Sequence, residues 1–313
     1  METGITETPE VIIDREAAME AFMGGPAPLP TNTGETATLT PSPRPTRTEP
    51  ADAPQPTRRP EPTRAPQIGD MEVVYSGIQR PHGIGVAGDT LYVSSEVDRG
   101  LYRIADGVLE LVARANFPHD MIATLDGALI TPVFLEDRVV RIDEDGTLTE
   151  LATGMSGPNG IAEDGDGSYY VSNYFAGTVV LIGDDAPPQT IATRLDGPAG
   201  VAYGRDSNTL YVAEYLGNRI AVIRGDERDH IALSGLVNIE SLFVNSDGQL
   251  LATAERNGRG VVVEVSEDGG YEVLVSTDLP GPLVGHFTRD GYVYLVSPND
   301  PEGRVLKAFV MRP

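Results

Sequence analysis

Along residues 71–313, short apolar runs alternate with turns rich in Gly, Asp and Asn, the punctuation of β-strands rather than helices. The stretch Pro158–Ile182, PNGIAEDGDGSYYVSNYFAGTVVLI, shows the unit. Pro-x-Gly opens a short strand at Ile161 and Ala162, and an Asp-Gly turn follows at Asp164–Gly167. A second strand is expected over Tyr169–Ser172, a loop over Asn173–Gly177 and a third strand over Val179–Ile182. The Asp164-Gly-Asp-Gly phrase lacks the spacing of a helix–loop–helix calcium site and reads as a turn.

The unit recurs. Aligned on the position after Pro in PNG, the copies give His82, His119, Asn159, Ala199, Glu240 (where Ile239 replaces the proline) and Leu283, at steps of 37, 40, 40, 41 and 43 residues. Second strands read LYVSS (91–95), ALITP (128–132), YYVSN (169–173), LYVAE (210–214), LATAE (251–255) and VYLVS (293–297). Six copies of four strands at this period predict an all-β fold, a six-bladed β-propeller. The segment MEVVYSGI (71–78) precedes the first copy, and the last copy stops after its third strand. The spacing therefore predicts that strand 71–78 completes the sixth blade, since an open blade would leave an unpaired edge.

Strand direction alternates within a blade. The loop entering each first strand and the loop leaving each second strand thus share one face, around the channel mouth. The expected ring there holds His82, His119, Asp120, Asn159, Glu214, Glu240 and Glu255, with Ser95, Glu96, Pro132, Asn173 and Ser297 ending second strands beside it. Such a polar, acidic funnel suits a ligand or an ion. Phe117, Phe134, Leu135, Tyr174, Phe175, Tyr215 and Leu216 fall on loops of blades 2–4, an apolar rim expected to grip a small-molecule or protein ligand. The expected ligand-binding set is Glu96, Phe134, Asn173, Tyr174, Phe175, Glu214, Tyr215 and Glu255. His230 falls on an outer strand and His286 on an innermost one.

Residues 1–67 hold 13 of the 25 prolines and many threonines, a composition that predicts a disordered or polyproline-like tail before a propeller over 68–313. One island, Asp14–Met23, could be a short helix capped by Asp14 and stopped by Gly24. The Pro/Thr-rich tail and the absence of cysteine suggest a cell-surface or other extracytoplasmic setting, although no export signal is visible. Net charge is −24, of which −19 lies in 71–313 (17 basic against 36 acidic residues). That balance argues against nucleic acid as a partner, and no apolar run suits membrane insertion.

On the phrases PHGI at 81–84, PNG at 158–160 and the repeat as a whole, residues 71–313 resemble the six-bladed gluconolactonase/regucalcin and paraoxonase families; PAGVAYGRDSNTLYVAEYLGNRIAVI looks like a generic NHL repeat. The resemblance implies a metal-dependent lactonase or esterase. It places one divalent cation, calcium or zinc, on Asn159 with His119, Asp120 or Glu240, and makes His82 the general base. Two further ligand positions of those families fall on Ala199 and Leu283, which coordinate nothing. With its ligand positions incomplete, the chain reads first as a binding propeller and second as such a hydrolase. Virginiamycin B lyase also carries PHGI phrases, but on seven blades.

Overall fold

The computed structural model describes residues 67–311, apart from 125, 184 and 185. The helix expected at 14–23 and the tail as far as residue 66 lie outside the described residues. The described chain forms six four-stranded antiparallel sheets. Blade 1 is β2 (Pro81–Ala87), β3 (Thr90–Ser95), β4 (Gly100–Ala105) and β5 (Val108–Arg114). Blade 2 is β6 (Ile122–Ala123), β7 (Leu129–Val133), β8 (Arg138–Ile142) and β9 (Leu148–Thr153). Blade 3 runs from β10 (Pro158–Glu163) through β11 (Tyr169–Asn173) and β12 (Thr178–Gly183) to β13 (Ala186–Ala192). Blade 4 is β14 (Pro198–Gly204), β15 (Thr209–Glu214), β16 (Arg219–Arg224) and β17 (Glu227–Ala232). Blade 5 is β18 (Leu242–Val244), β19 (Leu250–Arg256), β20 (Arg259–Val265) and β21 (Tyr271–Pro280).

The sixth blade closes the ring. It takes β22 (Val284–Phe287), β23 (Tyr292–Val296) and β24 (Val305–Phe309) from the end of the chain and β1 (Met71–Tyr75) from its beginning. Met71 stands opposite Ala308 and Val73 opposite Leu306. The expected strand 71–78 ends at Tyr75, but pairing continues: Gly77 N–H donates to Glu302 O at 2.9 Å and Ile78 N–H to Gly303 O at 3.2 Å.

The core is distributed between blades instead of centred. Second strands are sandwiched between neighbouring blades and inner and outer strands, so β15 is buried along its whole length, while outermost β17 buries only Ile231. Val179, Val201, Val212 and Ala221 join blades 3 and 4, and Tyr92, Leu101, Met121 and Leu129 join blades 1 and 2. Each such aliphatic or aromatic side chain contributes about 1.5–3 kcal/mol of burial, so the interfaces, more than any one sheet, hold the disc together.

The glycine of Pro-x-Gly has a packing cause. Backbone passes backbone here: a Cβ on Gly83 would sit 2.5 Å from Pro118 O, and one on Gly160 would sit 2.7 Å from Gly200 Cα. Only a residue without a side chain allows that approach. Second-strand hydroxyls finish the joint. Gly83 N–H donates to Ser94 Oγ (2.7 Å), which donates to Pro118 O of the next blade (2.8 Å). Gly160, Ser172 and Ala199 O repeat the device at 2.8 and 2.5 Å. Blade 4 has Ala213 in that column, and there Gly200 N–H reaches Glu240 O directly at 2.8 Å.

Candidate functional site

The six ring positions do share one end of the channel, but they are deep. His82, His119, Asn159 and Glu240 are 1, 2, 2 and 3 % exposed. The tight inter-blade joint at each Pro-x-Gly draws these side chains in under the loops. His82 and His119 face each other with ring centroids 4.1 Å apart. Asp120 is only partly buried; it accepts N–H bonds from Met121 at 2.9 Å and from Ile161 of the next blade at 3.4 Å.

Burial dominates the electrostatics. It pushes the His82 imidazole down to about 3, helped by the Arg80 charge. It holds His119 well below the ordinary value, with His82 adding to the effect and a hydrogen bond with Asn159 opposing it. Burial raises the Asp120 carboxyl to about 7 against the two backbone N–H groups. It raises Glu240 to about 8, with the Asp120 charge contributing. Near neutral pH the cluster therefore consists of neutral imidazoles, an amide, a Glu240 carboxyl that largely keeps its proton and an Asp120 carboxyl close to half-protonated. His286, on β22, is also lowered by burial, to about 4.

The apolar rim expected on blades 2–4 is corrected by the structure. Phe134, Tyr174, Phe175 and Tyr215 are 0, 0, 8 and 5 % exposed, so they do not present a gripping surface. Each loop is tied to the one beside it: Phe134 N–H donates to Phe117 O (3.0 Å), Tyr174 N–H to Gly157 O (2.9 Å) and Tyr215 N–H to Gly197 O (3.0 Å). The rings then pack on one another and form a cover. Phe117 and Phe134 have centroids 4.9 Å from His119, Phe134 lies 5.2 Å from Phe175, and Tyr174 lies 6.4 Å from Tyr215. Leu216 alone of the group is clearly exposed, and Leu135 is partly buried against the cluster.

The polar residues ending the second strands brace loops. Glu96 Oε2 takes Arg80 Nε at 2.7 Å. Glu214 is fully buried; it accepts Asp196 N–H at 2.8 Å and Arg219 Nη2–H at 3.2 Å, and lies 3.1 Å from His230 Nε2. Burial would raise its carboxyl, but the Arg219 hydrogen bond and the Asp196 N–H prevail and leave it below the ordinary value. His230 thus lies on outermost β17 as expected and carries a partner unseen in the sequence. Glu255 Oε2 accepts Asn238 Nδ2–H at 2.9 Å, and Asn173 Oδ1 accepts Ser156 N–H at 3.2 Å. Each of the acids and the amide of the expected ligand-binding set thus has at least one partner within the protein, while Glu96 Oε1 is buried without one.

Two further ring positions are apolar. Ala199 and Leu283 are fully buried, and Leu283 fills the space beside Gly260. Among the described residues no three His, Asp or Glu side chains are grouped to hold a metal ion. The cluster has another property. Asn159 Nδ2 and Glu240 Oε2 are buried, and no described protein group pairs with either.

No family model and no curated protein matches the chain. Solved structures do. A gluconolactonase from Xanthomonas campestris superposes at TM-score 0.66 with 19% identity, over 77% of this chain and 89% of that one. A putative gluconolactonase studied by structural genomics gives 0.63 and 16%, over 79% and 94%. Virginiamycin B lyase from Staphylococcus aureus gives 0.57 and 13%, over 77% and 99%. These likenesses show the fold. At such identities they carry no residue roles, so chemistry must come from the cluster itself.

Proposed function

We propose that this protein is a ligand-binding propeller whose site is the cluster of His82, His119, Asp120, Asn159 and Glu240 beneath the aromatic cover. The observation that carries the reading is the pair of unpartnered buried atoms, Asn159 Nδ2 and Glu240 Oε2. Each such atom costs about 1–3 kcal/mol if left unpaired, and a bound polar molecule recovers that cost. The near-neutral protonation of the cluster favours a small uncharged molecule with hydroxyl, amide or carbonyl groups over an ion. The test is a thermal-shift panel of small polyols, amides and lactones on wild type and Asn159→Leu, with product analysis. A compound that raises the wild-type Tm, leaves Asn159→Leu unmoved and is recovered intact supports binding. No shift across the panel counts against it.

A second reading, a divalent-cation-dependent lactone or ester hydrolase with His82 as base, draws on the shared fold with gluconolactonases. Asn159, His119, Asp120 or Glu240 would hold the ion and His82 would activate water. Against it stand the apolar Ala199 and Leu283, and a base whose conjugate acid sits at about 3, a weak proton acceptor at neutral pH. Metal-dependent turnover of a lactone, lost in His82→Ala, would establish this reading over the first.

A further inference from the structure

The residue two before each ring position is left-handed in five of the six blades: Arg80 (φ 47°), Phe117 (75°), Gly157 (63°), Gly197 (60°) and Asn238 (50°). Glycine and asparagine suit that conformation, and a bulky side chain does not. Arg80 sends its chain outward to Glu96. Phe117 keeps a buried ring there, 3 % exposed.

The reason lies in how the cover is assembled. In blades 3 and 4 the ring over this position comes from a neighbouring loop. A Cβ on Gly157 would meet Phe175 Cε2 at 2.7 Å and Phe134 at 3.2 Å, and one on Gly197 would meet Tyr174 at 3.1 Å. Blade 1 offers only Glu96 at the equivalent place, and it is turned toward Arg80. The ring over blade 2 is therefore Phe117's own. It lies 4.9 Å from His82, 4.9 Å from His119 and 5.8 Å from Phe134. It hangs from a tight turn in which Phe117 N–H donates to Ala115 O at 3.1 Å, in an unfavourable backbone conformation. The other covers stand on unstrained or glycine-relieved joints; this one does not.

We propose that Phe117 is the gate of the channel site, its ring swinging outward with residues 115–118 to admit a small polar solute to His82, His119 and Asn159. The proposal rests on reading that cluster as a ligand site, and it assigns the route by which the ligand enters. Opening breaks the Phe134 N–H to Phe117 O and Leu135 N–H to Asn116 O bonds, of 3.0 and 3.4 Å, and relieves the backbone at Phe117.

The test uses diethyl pyrocarbonate, which acylates neutral imidazole nitrogen with loss of carbon dioxide and ethanol, read by peptide mass spectrometry. The chain's four histidines supply their own controls. His230 on the outer strand reports reagent strength and His286 on the inner strand reports loosening of the whole ring. Phe117→Gly, which suits a φ of 75°, is expected to speed modification of His82 and His119 by about tenfold or more, with His286 unchanged. Unchanged rates at His82 and His119, or a parallel rise at His286, would overturn the gate. Native-state hydrogen exchange on the wild type needs no variant. The amides of Phe134 and Leu135 should exchange about tenfold faster than those of Tyr174 and Tyr215, whose equivalent bonds end on Gly157 and Gly197. Equal exchange would also overturn it. Neither readout involves a ligand, so a failed ligand panel and a failed gate are distinguishable.

Discussion

The hydroxyl of Ser172 accepts the backbone N–H of Gly160 at 2.8 Å and hands its own proton to the Ala199 carbonyl at 2.5 Å. One side chain thus satisfies two backbone groups on two blades, in a place too crowded for water. Ser172→Ala leaves both buried groups to find new partners and is expected to cost about 1–3 kcal/mol. Ser94→Ala should behave alike, since Ser94 bridges Gly83 and Pro118 in the same way. Denaturant midpoints at unchanged m-value measure the loss. A change within about 0.5 kcal/mol, the range of ordinary surface substitutions, would show that these hydroxyls do not hold the blades.

Closure by β1 makes a different demand. Every blade interface supports the next, so removing residues 71–75 exposes β24 and should lower the Tm of the whole disc cooperatively. Calorimetry should show one broadened, lowered transition. Removing 1–66 touches no described strand and should leave the Tm in place. An unchanged Tm after loss of 71–75 would mean that the sixth blade is stable with three strands.

The period that predicts six blades was legible because each copy must turn the chain at fixed intervals, and Gly, Asp and Pro mark those turns wherever they fall. The order of His82, His119, Asn159 and Glu240 around the ring was legible for the same reason. Their depth was not. Phe134 or Tyr174 on a loop reads alike whether it faces water or a residue forty positions away, because local sequence says nothing of the neighbouring blade. The hydroxyl joints were missed although aligned copies hold the signal: Ser94, Thr131 and Ser172 share one column with Ala213. A polar residue recurring at the inner end of buried strands needs a partner, and here the partner is the next blade.

The cluster should give stability two opposed pH limbs. Asp120 and Glu240 have folded values of about 7 and 8, above their ordinary 3.8 and 4.5. Folded protein then binds more protons than unfolded, so stability is greatest below pH about 4 for these groups and falls as pH rises to about 8. His82, at about 3 against an ordinary 6.5, binds fewer protons when folded, so its contribution is lost as pH falls from about 6.5 toward 3. Glu240→Gln should reduce the alkaline limb, to which Asp120 also contributes, and His82→Leu the acid limb, to which His119 and His286 also contribute, in a Tm series from pH 4 to 9. An alkaline limb that persists undiminished in Glu240→Gln and in Asp120→Asn would assign it to other groups.

Asn159 offers the sharpest separation of a site from a strut. A structural asparagine loses hydrogen bonds on replacement and destabilises. Asn159 instead carries a buried Nδ2 without a protein partner. Its carbonyl end, paired with His119, is the part that replacement sacrifices. Leucine is close in volume and removes the unpaired donor, so Asn159→Leu should leave stability within about 1 kcal/mol of wild type or raise it, as apolar replacement of a poorly satisfied buried group does. Removal of a well-paired buried amide would cost clearly more. Equilibrium unfolding of the ligand-free protein decides between them. A loss beyond about 2 kcal/mol would make Asn159 part of the scaffold and would take the ligand site with it.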